Sequence, residues 1–171
     1  PPMKLRNALV LCAFSLTALT TTRASHISGA EITYVCLGGN QFLVTLNLFR
    51  DCNGINAPTT GDLNFDSPCG SVTASLPQVF TAEVSQLCPE EIVNSTCNGG
   101  ALPGMQEYTY QGIVTLPPCD TWTMSWLSCC RNAEIDNLVA PDGQDMYVTA
   151  TMNSASYPCD NSPVFNNVPI P

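Results

Sequence analysis

The sequence predicts an all-β protein: a disulfide-braced antiparallel β-sandwich, Ig-like in architecture, preceded by a signal peptide. Three observations predict it. Apolar and polar residues alternate with a period of two along most of the chain after residue 25, the pattern of strands that bury one face. Clusters of Gly, Pro and Asn interrupt that alternation at short intervals, as turns between strands do. Nine of the ten cysteines fall in the same region, at Cys36, Cys52, Cys69, Cys88, Cys97, Cys119, Cys129, Cys130 and Cys159. In an exported chain their default state is paired.

Export is read from the first residues. Lys4 and Arg6 precede an apolar run from Ala8 to Leu19, followed by Thr20, Thr21, Thr22, Arg23 and Ala24. That is the order of a secretory signal, with cleavage expected after Ala24, and the run is too short to anchor in a bilayer. The expected organisation is residues 1–24 as signal peptide with upstream residues and 25–171 as one β-sandwich domain. The chain stops at the still apolar "NNVPIP" and carries an odd cysteine, so its C-terminal end reads as truncated.

Each strand has its own signature. Ala30, Ile32, Tyr34 and Cys36 share one face, Gly38-Gly39-Asn40 turns the chain, and Phe42, Val44, Leu46 and Leu48 resume the alternation. Residues 27–49 are therefore a β-hairpin. Residues 50–61 read as loop, through Asn53-Gly54 and Ala57-Pro58. Weaker strands at 71–76 and 79–84 are split by Pro77, which has no N–H for a central ladder. Residues 85–104, rich in Cys, Pro, Asn and Gly, read as a long loop clipped by its own bridges, with Cys88 to Cys97 the expected clip. Strands follow at 108–116, ended by Pro117-Pro118, and at 121–130, where Trp122, Met124 and Trp126 face one way. After a turn through Pro141-Asp142-Gly143, Met146, Val148, Ala150 and Met152 mark the last strand.

Charge excludes several partners. Loss of Lys4, Arg6 and Arg23 with the signal leaves Arg50 and Arg131 against fourteen carboxylates, a formal net charge of −12 with no lysine. Nucleic acid needs clusters of Lys and Arg, so it is excluded, as are docking to anionic lipid and membrane insertion after signal cleavage.

The cysteines could in principle serve a metal or a redox couple. No C-x-x-C occurs, and His26 is the chain's single imidazole, so a zinc site and a thioredoxin-like site both lack their parts. Period-two alternation puts Cys129 and Cys130 on opposite faces of their strand, Cys130 beside Trp122 and Trp126. A bond between neighbours would close a strained small ring, so each is expected to pair with a distant cysteine. A Ser-His-Asp or Cys-His arrangement would have to use His26. No spacing singles out a pair of acids for glycoside hydrolysis. Asp142, Gly143, Gln144 and Asp145 lack the regular ligand spacing of a calcium loop and fit turn chemistry better. No catalytic, cofactor-binding or metal-binding residues are expected. Arg50 in "FRDC" and Arg131 in "CCRN" read as structural arginines that fork to carboxylates or loop carbonyls. Asn94-Ser95-Thr96 is a formal glycosylation sequon.

The segments "ASHISGAEITYVCLGGNQFLVTLNLFRDCNG", "STCNGG", "QEYTYQGIVTLPPCDTWTMSWLSCCRN" and "CDNSPVFNNVPIP" together resemble the N-terminal region of very long surface proteins of gliding Bacteroidota. Such proteins often end in a gliding-motility-associated C-terminal domain. The resemblance implies type IX secretion, a secreted, extracellular or cell-surface location, and a role in adhesion or gliding motility. It carries no catalytic residues over. The function expected is a non-enzymatic module of a surface adhesin. A structural subunit of an extracellular fibre is the alternative, and a secreted polysaccharide hydrolase comes third. Expected partners are a surface glycan or protein ligand, further domains of the same chain, or other copies through self-assembly.

Overall fold

The computed structural model describes residues 26–132 and 135–163. The signal peptide expected at 1–24 and the C-terminal end expected to be truncated, residues 164–171, lie outside the described residues. Seven strands carry the fold: β1 Ile27–Gly38, β2 Gln41–Asp51, β3 Thr60–Ser67, β4 Gly70–Glu83, β5 Met105–Thr115, β6 Trp122–Ser128 and β7 Met146–Met152. They form one antiparallel ribbon in the order β1-β2-β5-β4-β3-β6-β7.

The hairpin forms where the alternation places it. Gly39 and Asn40 both have positive φ, 60° and 64°, the two-residue turn whose twist matches that of the flanking strands. The inward residues of β2, namely Phe42, Val44, Leu46 and Leu48, are fully buried. Tyr110 and Val114 of β5 continue that surface. Gly112 lies between them because a Cβ there would sit 2.7 Å from Leu76 Cδ2. Leu63, Phe65 and Leu76, then Trp122, Met124, Trp126, Met146 and Met152, supply the facing half of one continuous core.

Two strand assignments differ from expectation. Pro77 does not split β4, which runs unbroken from Gly70 to Glu83. Its first half pairs with β3 as far as Thr60↔Pro77, and from Gln78 onward it pairs with β5, with a register irregularity between Gln78 and Phe80. Pro77 sits at this corner, where a missing N–H breaks no ladder and the bulge turns the strand from one leaf to the other. The ribbon thereby doubles over into two leaves, sandwich-like and nearly barrel-like. The first leaf is β1, β2, β5 and the end of β4; the second is the start of β4, β3, β6 and β7. The other difference is β3, to which the alternation reading assigns no strand. Only Leu63 and Phe65 are large and apolar in it, and Gly61 fills the third inward position.

The outer margins, β1 and β7, lie at the seam opposite this corner. At one end of the seam the chain after β7 returns against β1. Ser162 N donates to Tyr34 O (2.9 Å), Tyr34 N to Ser162 Oγ (2.8 Å) and Cys36 N to Asn161 Oδ1 (2.8 Å). The Tyr34 hydroxyl donates between Thr151 O at 3.1 Å and Asp160 Oδ2 at 3.3 Å. Burial, then the Asp160 charge, push the phenol's pKa up to about 12, so it stays a donor. At the other end Ile27 bridges to Arg131.

Four disulfides form among the described residues, and three of them brace the ends of the sandwich. Cys36–Cys159 spans the seam and Cys69–Cys119 ties the β3–β4 turn to the β5–β6 connection. Cys52–Cys97 ties the end of β2 to the long connection before β5. The clip expected between Cys88 and Cys97 is not formed, and Cys88 is an exposed free thiol. The 3-10 turns Pro89–Asn94 and Thr96–Asn98 fold the loop back on the β2 end, where Cys52 N donates to Gly104 O at 3.0 Å, and this brings Cys97 to Cys52 instead. Cys129 and Cys130 are bonded to each other and not to distant partners. β6 ends at Ser128 and Cys130 takes φ 80°, so the strand alternation that would separate the two sulfurs no longer applies.

The two kinds of bridge should differ sharply in effect. Replacing Cys36 and Cys159 together by Ser releases a cross-link between residues 123 apart. It should lower the unfolding free energy by about 2 to 5 kcal/mol in urea titrations. Replacing Cys129 and Cys130 by Ser frees no loop and should cost less than about 1 kcal/mol in the same measurement.

Candidate functional site

With the inward residues locked in the core, the surfaces left for function are the strand ends and the outer faces of the two leaves. The sequence-predicted residues gather at the strand ends. Arg50 is 5% exposed. Its guanidinium donates to Cys52 O at 3.2 Å, Gly54 O at 2.8 Å, Gln106 Oε1 at 2.7 Å and Tyr108 Oη at 3.1 Å. It thus grips loop carbonyls and neutral side chains. Arg131 Nε donates to Asp145 O at 3.1 Å, and its backbone N–H donates to Gln144 O at 3.1 Å. These bonds fix the 141–145 turn, whose Asp142, Gly143, Gln144 and Asp145 are exposed. Among the described residues no group of three or more His, Cys, Asp or Glu could hold a metal. His26 contributes its carbonyl to Asp51 N at 3.0 Å.

A shallow depression of about 170 Å³ lies among Asp120, Thr121, Thr151, Met152, Asn153 and Asp160. It is smaller than the roughly 300 to 1,000 Å³ that small-molecule sites occupy. Asn94 of the sequon is exposed, in the loop braced by Cys97. At the end of β4, Glu83 faces this loop and is held below the usual carboxylate range by hydrogen bonds from Ser85, then Ser95 and Asn98.

The outer face of the first leaf is partly apolar. Val35, Leu43 and Ile113 stand opposite one another across β1, β2 and β5. Val35 is 50% exposed and Ile113 61%. Further along come Thr33, Thr45 and Gln111, then Glu31, Asn47 and Thr109. Asn47 Nδ2 donates to Glu31 Oε1 at 2.9 Å. Glu107 lies near this pair, and partial burial followed by the Glu31 charge raises its pKa above the ordinary 4.5.

The outer face of the second leaf has a different chemistry. Two complete rows cross all four strands: Thr73, Asn64, Ser125, Thr149, and beside it Ser71, Asp66, Thr123, Thr151. In a third row Ser75 stands opposite Asp62. Ser75 Oγ donates to Asp62 Oδ1 at 2.6 Å and Ser71 Oγ to Asp66 Oδ1 at 2.8 Å. Each carboxylate is thereby oriented while its second oxygen keeps acceptor capacity. Leu127 and Tyr147 pair across β6 and β7, 59% and 61% exposed. The β6 and β7 portions of this array follow from the alternation. The Asp62-Asn64-Asp66 portion does not, because β3 is the strand the pattern hides.

Arg50→Ala would leave the Cys52 and Gly54 carbonyls without their guanidinium donor and Gln106 Oε1 with the Tyr108 hydroxyl alone, and is expected to cost about 2 to 4 kcal/mol in chemical denaturation. For Glu107 the folded-state pKa is raised, so its contribution is most favourable below 4.5 and is lost as pH rises through the folded value. Glu107→Gln should therefore raise the unfolding free energy at pH 7 by about a few tenths of a kcal/mol in chemical denaturation. The gain should vanish as pH falls below about 4.5.

Compared with protein families, with curated proteins and with solved structures, the chain gives no match.

Proposed function

We propose that this chain is a non-enzymatic extracellular module of a bacterial surface adhesin or gliding-motility-associated protein. The observation that carries the reading is a sandwich whose ends are cross-linked by sulfur while both broad faces stay open to solvent. Disulfides that link distant segments persist in oxidising compartments, outside the reducing cytoplasm. Such bracing holds a recognition surface in one geometry, so little ordering is left to be done at the moment of contact. The resemblance to surface proteins of gliding Bacteroidota supports the same reading. Strand-to-strand fibre assembly is less well supported, because the β1 margin is already occupied by Asn161 and Ser162.

A second reading has one specific observation in its favour. It is that of a polysaccharide hydrolase: the pKa of Glu107 is raised by partial burial and then by the Glu31 charge, the direction a general acid requires.

Beads coated with the purified chain should adhere to cell-surface or polysaccharide-coated substrata, and beads coated with the reduced, alkylated chain should lose adhesion. Adhesion equal to that of uncoated beads would reject the adhesin reading. Release of reducing sugar from a polysaccharide, abolished by Glu107→Gln, would establish the hydrolase instead.

A further inference from the structure

The adhesin reading leaves the ligand and the face unnamed, and the inference here rests on that reading. We propose that the outer face of the second leaf is a binding platform for a neutral polysaccharide, laid across β3, β6 and β7 between Asp62, Asp66 and the exposed Tyr147.

The hydrogen-bonding inventory selects a ligand rich in hydroxyl groups. Asp62 and Asp66 can only accept, the exposed Asn64 and Thr149 can both donate and accept, and Ser125 is buried between them. A sugar hydroxyl does both, so it can meet every exposed position in the array. The carboxylates are already oriented, since Ser75 and Ser71 each hold one oxygen at 2.6 and 2.8 Å. Hydrogen bonds to a charged acceptor are the stronger kind.

Side-chain length points the same way. Ordering Lys, Arg, Glu or Gln costs more rotamer entropy than ordering a short polar side chain. The two complete rows contain none of these, only Ser, Thr, Asn and Asp. A ligand lying along them therefore immobilises little that was moving. With strands about 4.8 Å apart, a row of four positions spans about 14 Å, room for more than one sugar ring. At the β7 margin, Leu127 and Tyr147 form an exposed apolar pair. An aromatic ring with a polar tip suits the C–H face of a pyranose, just as it suits other surfaces that are apolar on one side and wet on the other.

Charge narrows the class. The exported chain carries a formal −12 and none of the residues in these rows is cationic. Uronic-acid, sulfated or phosphorylated polymers would meet repulsion with no compensating Lys or Arg. A neutral polymer meets none.

The test is affinity electrophoresis of the intact disulfide-bonded chain in native gels containing one soluble polysaccharide at a time. The neutral arm uses mixed-linkage β-glucan, xylan and mannan; the anionic arm uses alginate and polygalacturonate. At least one neutral polymer should retard the chain and neither anionic polymer should. Tyr147→Ala and, separately, Asp62→Asn should each weaken that retardation roughly tenfold or more in apparent Kd. Ile113→Ser, on the opposite face, should leave it unchanged, and added salt should matter little. Circular dichroism melts show whether each variant is folded. Should Asp62→Asn fail to fold, Thr149→Val and Tyr147→Ala carry the test.

The proposal is overturned by retardation in none of the neutral gels, by retardation that survives both Tyr147→Ala and Asp62→Asn, or by preference for an anionic polymer. Salt-sensitive capture of a basic protein in place of any polysaccharide would overturn it as well. Bead adhesion that persists in the absence of any polysaccharide retardation would leave the adhesin reading standing while removing this one.

Discussion

The architecture depends on one strand having two partners. β4 belongs to the second leaf as far as Pro77 and to the first leaf beyond it. Without that change of allegiance, the seven strands would form one open sheet with an apolar face larger than any short connection could cover. A proline and a register irregularity, each a defect in a flat sheet, make the bend tolerable at the place where it is needed. The doubling over creates the shared interior, brings β1 and β7 to one seam and leaves two outward faces with separate chemistries.

Each disulfide is easier to understand from this doubling. Cys36–Cys159 lies at the seam, where no continuous ladder joins the leaves, and Cys69–Cys119 holds a turn of the second leaf to the connection leaving the first. Cys52–Cys97 and the Arg50 guanidinium act at the opposite end on loops that have little apolar surface of their own. Sulfur and the buried cation thus supply order where hydrophobic burial cannot. The adjacent pair Cys129–Cys130 stands apart, since it stiffens a turn and connects nothing distant.

Alternation in the sequence made the hairpin, β5, β6 and β7 legible, because Phe42, Val44, Leu46, Leu48, Trp122 and Trp126 are large enough to mark every inward position. β3 escaped because Gly61 takes one of its three inward places and its outward places are Asp and Asn, residues that composition assigns to loops. Its loss hid the most polar part of the candidate face. Pairing of cysteines was illegible for a related reason. Cys52 meets Cys97 through the path of a loop, and Cys129 meets Cys130 through a backbone angle at a single residue; neither is encoded in a period. Arg50 was legible by scarcity alone: with so few cations in the chain, a buried one has few duties other than holding the polypeptide together.

The return of Asn161 and Ser162 to β1 joins almost the first described residues to almost the last. A polypeptide emerging from the ribosome, amino end leading, can zip the early hairpin at once, but its seam stays open until the segment after β7 is delivered. Through that interval its hydrophobic interior is accessible from one side. Of the described residues, those after β7 close the seam, once all seven strands have been made.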